Sequence, residues 1–170
     1  IEACLVGSEM CIRDRCHEVR GPDCRDGANG PDLSEPSQPQ LDALQGRLCY
    51  QFSDPTLLER ALTHRSAGRH HNERLEFLGD AVIGLAAASA FYGRFPEADE
   101  GVLSRLRALV VSGHSLAAIA KAFDLSPCLI LGESERKSGG RHRDSILADT
   151  LEALLGAVAL DAGPETALQV

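Results

Sequence analysis

Between Asn72 and Tyr92 the chain reads NERLEFLGDAVIGLAAASAFY. Leu75, Phe77, Leu78, Ala81, Val82, Ile83 and Leu85 make this stretch apolar around most of a helical circumference, which predicts a largely buried helix. The same stretch carries Glu73, Glu76 and Asp80. At about 100° per residue, positions i, i+3 and i+7 fall within roughly a 60° arc, so the three acids share one face. A second apolar segment, SILADTLEALLGAVALDA at 145–162, repeats the pattern with Asp149 and Glu152 among Ile146, Leu147, Leu151, Leu154, Leu155 and Val158.

Burying an unpaired carboxylate costs several kcal/mol, and crowding acids together costs more. A solvated stripe, or ion pairs to Arg74, Arg105 and Arg107, would account for either segment alone. Two such stripes on two apolar helices call for one common explanation, and a hard divalent cation supplies it. Every candidate ligand is a carboxylate oxygen, which favours Mg²⁺, with Mn²⁺ as a substitute, over Zn²⁺. A di-iron bundle would need Glu-x-x-His pairs, and the sequence has none. Carboxylate clusters around Mg²⁺ suit phosphate chemistry.

The rest of the sequence fits a helical frame. Segments with helical spacing occupy roughly 41–49, 55–63, 72–92, 99–111, 113–123 and 145–162, and no run alternates at period two. Ser53-Asp54-Pro55 reads as a helix start, Phe95-Pro96 as a stop, and Asp99-Glu100 places acids at the head of the next helix. Aromatic residues make up only 4% of the chain and Trp is absent, so the core must come from Leu, Ala, Val and Ile. The expected fold is all-α with short connections, and ESERKSGGRHRDS before the last helix is expected as a loop. Cys49 and Cys128 read as small core residues.

Residues 1–39 lack periodicity, and the stretch to Gln40 is rich in Gly, Pro, Asp and Ser. They are expected to form a disordered or non-native tail. Cys4, Cys11, Cys16 and Cys24 in that tail lack the close pairs of most zinc modules. The formal charge of −8 is split evenly: residues 1–40 hold 4 Arg against 8 acids, and residues 41–170 hold 13 Lys or Arg against 17 acids. Such a balance argues against tight non-specific nucleic-acid binding but not against a phosphate bridged by metal. No uninterrupted apolar run has the length of a bilayer crossing, so no membrane partner and a cytoplasmic location are expected.

The string ERLEFLGDA at 73–81 resembles the signature of the ribonuclease III family along its whole length. The resemblance extends from about Leu41 to Gly163 through ALTHRSA (61–67), RFPEADEG (94–101), SRLRALVV (104–111), KSGG (137–140) and SILADTLEAL (145–154). It implies an all-helical endonuclease domain over 40–165, functional as a two-fold homodimer and acting on double-stranded RNA with Mg²⁺. The implied products carry 5′-phosphates and short 3′ overhangs, in the processing of ribosomal and messenger RNA precursors. It further implies Glu76, Asp149 and Glu152 as metal ligands, Asp80 and Glu152 as catalytic residues, and Glu73 and Glu100 as secondary acids near the cleft. Phe77 is read either as core or, by resemblance, as a knob into the partner subunit. Lys137, Arg141 and Arg143 form either a solvated loop or a phosphate contact. His64-Arg65-Ser66 reads as capping or as RNA-adjacent. Bacterial members continue into a double-stranded RNA-binding domain, so 166–170 is expected to begin a linker.

Two rival readings use the same residues. A protein that holds duplex RNA without cutting it has no reason to keep Glu76, Asp80, Asp149 and Glu152. A helical Mg²⁺ enzyme acting on diphosphates would carry runs of adjacent aspartates, which this sequence lacks.

Overall fold

The computed structural model describes residues 35–170, and the expectations for the N-terminal tail and its four cysteines fall almost wholly outside them. Helix α1 (Gln38–Leu48) starts inside the segment expected to be tail, because the Ser37 N–H and hydroxyl both donate to Gln40 Oε1, closing its first turn. Then come α2 (Pro55–Leu62), α3 (Glu73–Arg94), α4 (Glu100–Val110) and α5 (Gly113–Ala122). The chain closes with the short α6 (Glu133–Lys137), the long α7 (Asp144–Ala162) and α8 (Pro164–Ala167). Asp54 and Asp99 cap α2 and α4 through their side chains, accepting from the N–H groups of Thr56 and Val102. Among the described residues there is no strand; one isolated parallel bridge joins Thr63 to Ile130.

Helix α7 is the axis of the domain. Leu147, Ala153, Leu154, Ala157 and Val158 on it are completely enclosed, and α2, α3, α5 and α8 all pack around it. Each such Leu contributes about 1.5–3 kcal/mol relative to an exposed one. Its most extensive partner is α3, and the two approach backbone to backbone. A Cβ on Gly79 would stand 1.7 Å from the Glu152 carbonyl oxygen, and one on Gly156 would stand 2.1 Å from that of Leu75. Only glycine at both places permits this crossing.

At the far end of α7, Asp161 ties down the α1–α2 connection. Its carboxylate accepts from the Tyr50 hydroxyl at 2.5 Å and from the backbone N–H groups of Ser53 and Asp54 at 2.8 and 3.0 Å. Burial opposes the charge, but these three donors outweigh it and hold the carboxyl below its ordinary range, while the Tyr50 hydroxyl is pushed up to about 12 by burial and by Asp161.

Five expectations need correction. Helix α3 is buried along one face only, through Leu75, Val82, Ile83 and Ala87, because no other part of the described chain covers Phe77, Leu85 and Tyr92 on the opposite face. With 22 residues it is also long and apolar enough to cross a bilayer by composition, although its buried face packs on α7. Cys49 is exposed rather than core, since it is the left-handed C-cap of α1 at φ 52°; Cys128 is buried as expected. The basic segment before α7 is not an open loop: it folds into α6 and a 3₁₀ turn (Gly140–His142), and α8 follows α7, with Ala167 buried against Val82 and Val158.

The glycine crossing yields a quantitative expectation. Gly79→Ala or Gly156→Ala should destabilise the domain by about 1–3 kcal/mol or more, because the clash is with backbone that cannot rotate away. Gly84→Ala on the same helix, where a Cβ meets nothing within 4 Å, should instead be neutral or stabilise by up to about 1 kcal/mol. Urea melts of the three variants check this; equal effects at Gly79 and Gly84 would contradict the close crossing.

Candidate metal centre

The crossing of α3 over α7 brings the two acidic stripes together. Carboxylate oxygens of Glu76, Asp149 and Glu152 lie within 4.8 Å of one another, all three side chains half-buried. Asp80, one turn beyond Glu76, is exposed at the edge of this triad, and its charge acts on both Glu76 and Glu152. Desolvation and mutual repulsion raise the proton affinity of all three. Burial, then Asp80, Asp149 and Glu76, pushes the Glu152 carboxyl up to about 7. Burial and the charges of Asp149 and Glu73 raise Glu76, with Arg65 opposing. Burial raises Asp149, with His64 and Arg65 opposing.

A cleft of about 750 Å³ opens beside the triad, lined in part by His64, Arg65, Asn72, Glu73, Arg143 and Asp149. Its far wall is fixed by backbone. The His64 N–H donates to the Ile130 carbonyl at 3.0 Å, and the Gly132 N–H to Ser66 Oγ at 3.0 Å. His64 caps the 3₁₀ turn Arg65–Ala67 through Nδ1, which accepts from the Ser66 N–H, so this residue both caps and faces the cleft. Burial lowers its pKa, against the raising charge of Glu135.

The sequence matches the model of the Ribonuclease-III-like family over residues 54–170. The chain belongs to the ribonuclease III family. It is 54% identical over 125 residues to Ribonuclease 3 of Colwellia psychrerythraea (strain 34H / ATCC BAA-681), an alignment covering 74% of this chain and 47% of that protein. The chain therefore spans about half the length of this curated relative. Its fold is similar to the nuclease domain of ribonuclease III from Campylobacter jejuni, described as having structural flexibility in a region involved in dimer formation. The TM-score is 0.74 at 43% identity, over 75% of this chain and 90% of that one. It is also similar, at TM-score 0.54 and 31% identity, to Dicer from Pichia stipitis, over 68% of this chain and 50% of that one.

As a ribonuclease III-family domain, the chain brings together most of the acids read from its sequence. Glu76, Asp149 and Glu152 form the triad, and Asp80 and Glu73 flank it. Glu73 is exposed and paired to Arg65 at 3.4 Å. Glu100 lies elsewhere: it is exposed on α4 and accepts from the Ser104 hydroxyl at 2.7 Å. The basic residues divide. Arg143 lines the cleft and pairs with Glu135 at 2.8 Å, whereas Lys137 pairs with Glu133. Arg141 is buried and donates through Nη1 to the carbonyls of Ser126 and Pro127, which corrects both of its readings, as part of a solvated loop and as a phosphate contact. Sequence reasoning missed Gly79, Gly156, Glu135 and Asn72. Glycines inside two long apolar helices were a visible signal for the first pair.

The donor set fits a hard divalent cation: three oxygens from half-buried carboxylates, each costly to ionise without a positive partner. The sign of the pH effect follows. A carboxyl whose folded pKa is raised favours the folded state below its unfolded value, and that contribution is lost as pH climbs through the folded value. For Glu152 the window runs from about 4.5 to about 7. In chelator, Glu152→Gln should therefore melt higher than the parent at pH 8, by about 1–2 kcal/mol after discounting for solvent screening, and the gap should close near pH 5. Mg²⁺ should raise the melting temperature of the parent and leave that of Glu152→Gln nearly unchanged. A variant that melts below the parent at pH 8 in chelator would refute the crowding.

Proposed function

We propose that this chain is the catalytic domain of a Mg²⁺-dependent endoribonuclease that hydrolyses phosphodiester bonds in double-stranded RNA. The observation that carries the reading is the convergence of Glu76, Asp149 and Glu152 beside an open cleft, in a chain of the ribonuclease III family. Glu76, Asp149 and Glu152 would hold the ion, and Mn²⁺ should substitute for Mg²⁺. When bound, the cation supplies Lewis acidity at the scissile phosphate and makes attack by water accessible at neutral pH.

The chain's own groups do the rest. Glu152, the most crowded of the acids, is the ligand whose charge depends most on the ion. Asp80, exposed beside the triad, would accept a hydrogen bond from the attacking water. Arg65 and Arg143, lining the cleft beside the triad, offer positive charge to the RNA backbone. In the balanced reaction, water oxygen bonds to phosphorus, the bond to the 3′ oxygen breaks, and that oxygen takes up a proton. The products then carry 5′-phosphate and 3′-hydroxyl ends.

Duplex cleavage needs one centre per strand, and the bare face of α3 suggests how two centres are joined. Phe77 is 81% exposed and Tyr92 78%, with Leu85 between them. We assign this face to a symmetric homodimer in which Phe77 enters the partner, giving two cuts and short 3′ overhangs. The dimer-forming region described for the Campylobacter jejuni nuclease domain supports this assignment. Cytoplasmic processing of ribosomal and messenger RNA precursors is the role that fits such an activity.

Labelled duplex RNA incubated with the chain and Mg²⁺ should yield discrete short duplexes with 5′-phosphates. Glu152→Gln should remain folded and dimeric but not cleave. Mg²⁺-dependent cleavage by that variant would overturn the site, and binding without cleavage by the parent would favour the RNA-holding alternative. Phe77→Ala should weaken association by about 2–4 kcal/mol in sedimentation experiments. A parent chain that is monomeric at micromolar concentration would refute the dimer.

A further inference from the structure

Asn72, at the head of α3, is 2% exposed and forms part of the cleft wall together with Glu73, Glu76 and Asp149. Its backbone is fully committed. The N–H donates to the Thr63 carbonyl at 2.9 Å, and its carbonyl accepts from the N–H groups of Leu75 and Glu76 at 2.8 and 2.9 Å. Its side chain is not committed. Asn is among the best helix N-caps, yet here it makes no cap hydrogen bond, because its φ and ψ of −81° and −16° are already helical. Among the described residues its Nδ2 is enclosed without any hydrogen-bond partner.

An enclosed amide donor is costly to leave unmatched, which points to a partner in the working cycle. The neighbours in the cleft wall are acceptors, the carboxylates of Glu73, Glu76 and Asp149. Ligating carboxylates in metal sites are themselves hydrogen-bonded, and such outer partners change ion affinity by about 10–100-fold.

We propose that Asn72 is a positioning residue for the metal centre, its amide donating to a triad carboxylate once the ion has drawn Glu76 and Asp149 into their ligating arrangement. This rests on the metal-site reading above. With the ion bound, the amide would fix the orientation of a ligand. Its backbone carbonyl already accepts from the Glu76 N–H, so one residue holds both the main chain and, when the ion is present, the side-chain arrangement of the site.

The test is Mn²⁺ binding to the whole chain without RNA, followed by electron paramagnetic resonance or calorimetry, alongside melting in chelator. Asn72→Ala and Asn72→Leu, the second nearly filling the same space without a donor, should each weaken Mn²⁺ by about tenfold. Neither should lower the metal-free melting temperature by more than a degree or two. Unchanged Mn²⁺ affinity in both variants would overturn the proposal. So would a large loss of metal-free stability in both, which would make the amide a structural strut, or a rise in KM for duplex RNA with Mn²⁺ affinity intact, which would assign it to the substrate. Glu152→Gln serves as the control. If it too leaves Mn²⁺ binding unchanged, the triad itself is misread, an outcome separate from failure of the Asn72 variants alone.

Discussion

The structure depends on two helices touching where they have no side chains. At Gly79 and Gly156 the backbones of α3 and α7 meet so closely that a single methyl group on either would overlap a carbonyl oxygen of the other. That approach makes α3 the main partner of the buried central helix. It also sets Glu76 and Glu152 on facing helices, three and four residues from the respective contact glycines. The separation of the helices and the separation of the carboxylates are therefore one quantity. Side-chain packing elsewhere, through Leu62, Leu75, Leu147 and Leu154, holds the crossing in place but does not define its distance.

The same closeness is an electrostatic burden. Three half-buried acids with raised proton affinity weaken the metal-free fold at neutral pH, and no lysine or arginine of α3 or α7 joins the triad to relieve them. The nearby arginines are engaged with flanking acids: Arg65 with Glu73 and Arg143 with Glu135. Stability is regained away from the site, for example at Asp161, where three donors converge on a carboxylate that is content to be charged. Acids along α7 thus titrate in opposite senses: Asp149 and Glu152, inside the helix, are held towards the protonated form, and Asp144 and Asp161, near its ends, towards the ionised one.

Much of this was legible in the sequence, for identifiable reasons. Helical periodicity located the six principal helices to within a few residues at each end, since apolar spacing and caps such as Asp54 and Asp99 are local signals. The acids stood out because Glu76, Asp149 and Glu152 interrupt apolar helices, where a charge needs a reason. What depended on geometry between distant segments was not legible. Arg141 read as a solvated or phosphate-touching member of a basic run, but its guanidinium turns inward to the Ser126 and Pro127 carbonyls fifteen and fourteen residues away. Asn72 carried no signal in the sequence, because its enclosure in the cleft wall depends on segments distant in the chain. Glu100, singled out as a site acid only by the resemblance, accepts from Ser104 on its own helix.

Helix α3 has almost no idle surface. Over nine residues, Leu75 and Gly79 face α7, Glu73, Glu76 and Asp80 face the cleft or its edge, and Phe77 faces outward. Only Arg74 and Ala81 are both exposed and uncommitted. A stretch so fully subscribed has little room to drift: most exchanges would damage packing or, on the proposed reading, chemistry or association, and they cannot be compensated locally because the neighbouring positions are already spoken for. The consequence is informational. ERLEFLGDA is the most recognisable string in the chain because three independent physical demands are written into the same two and a half turns of helix, leaving few synonyms for any of them.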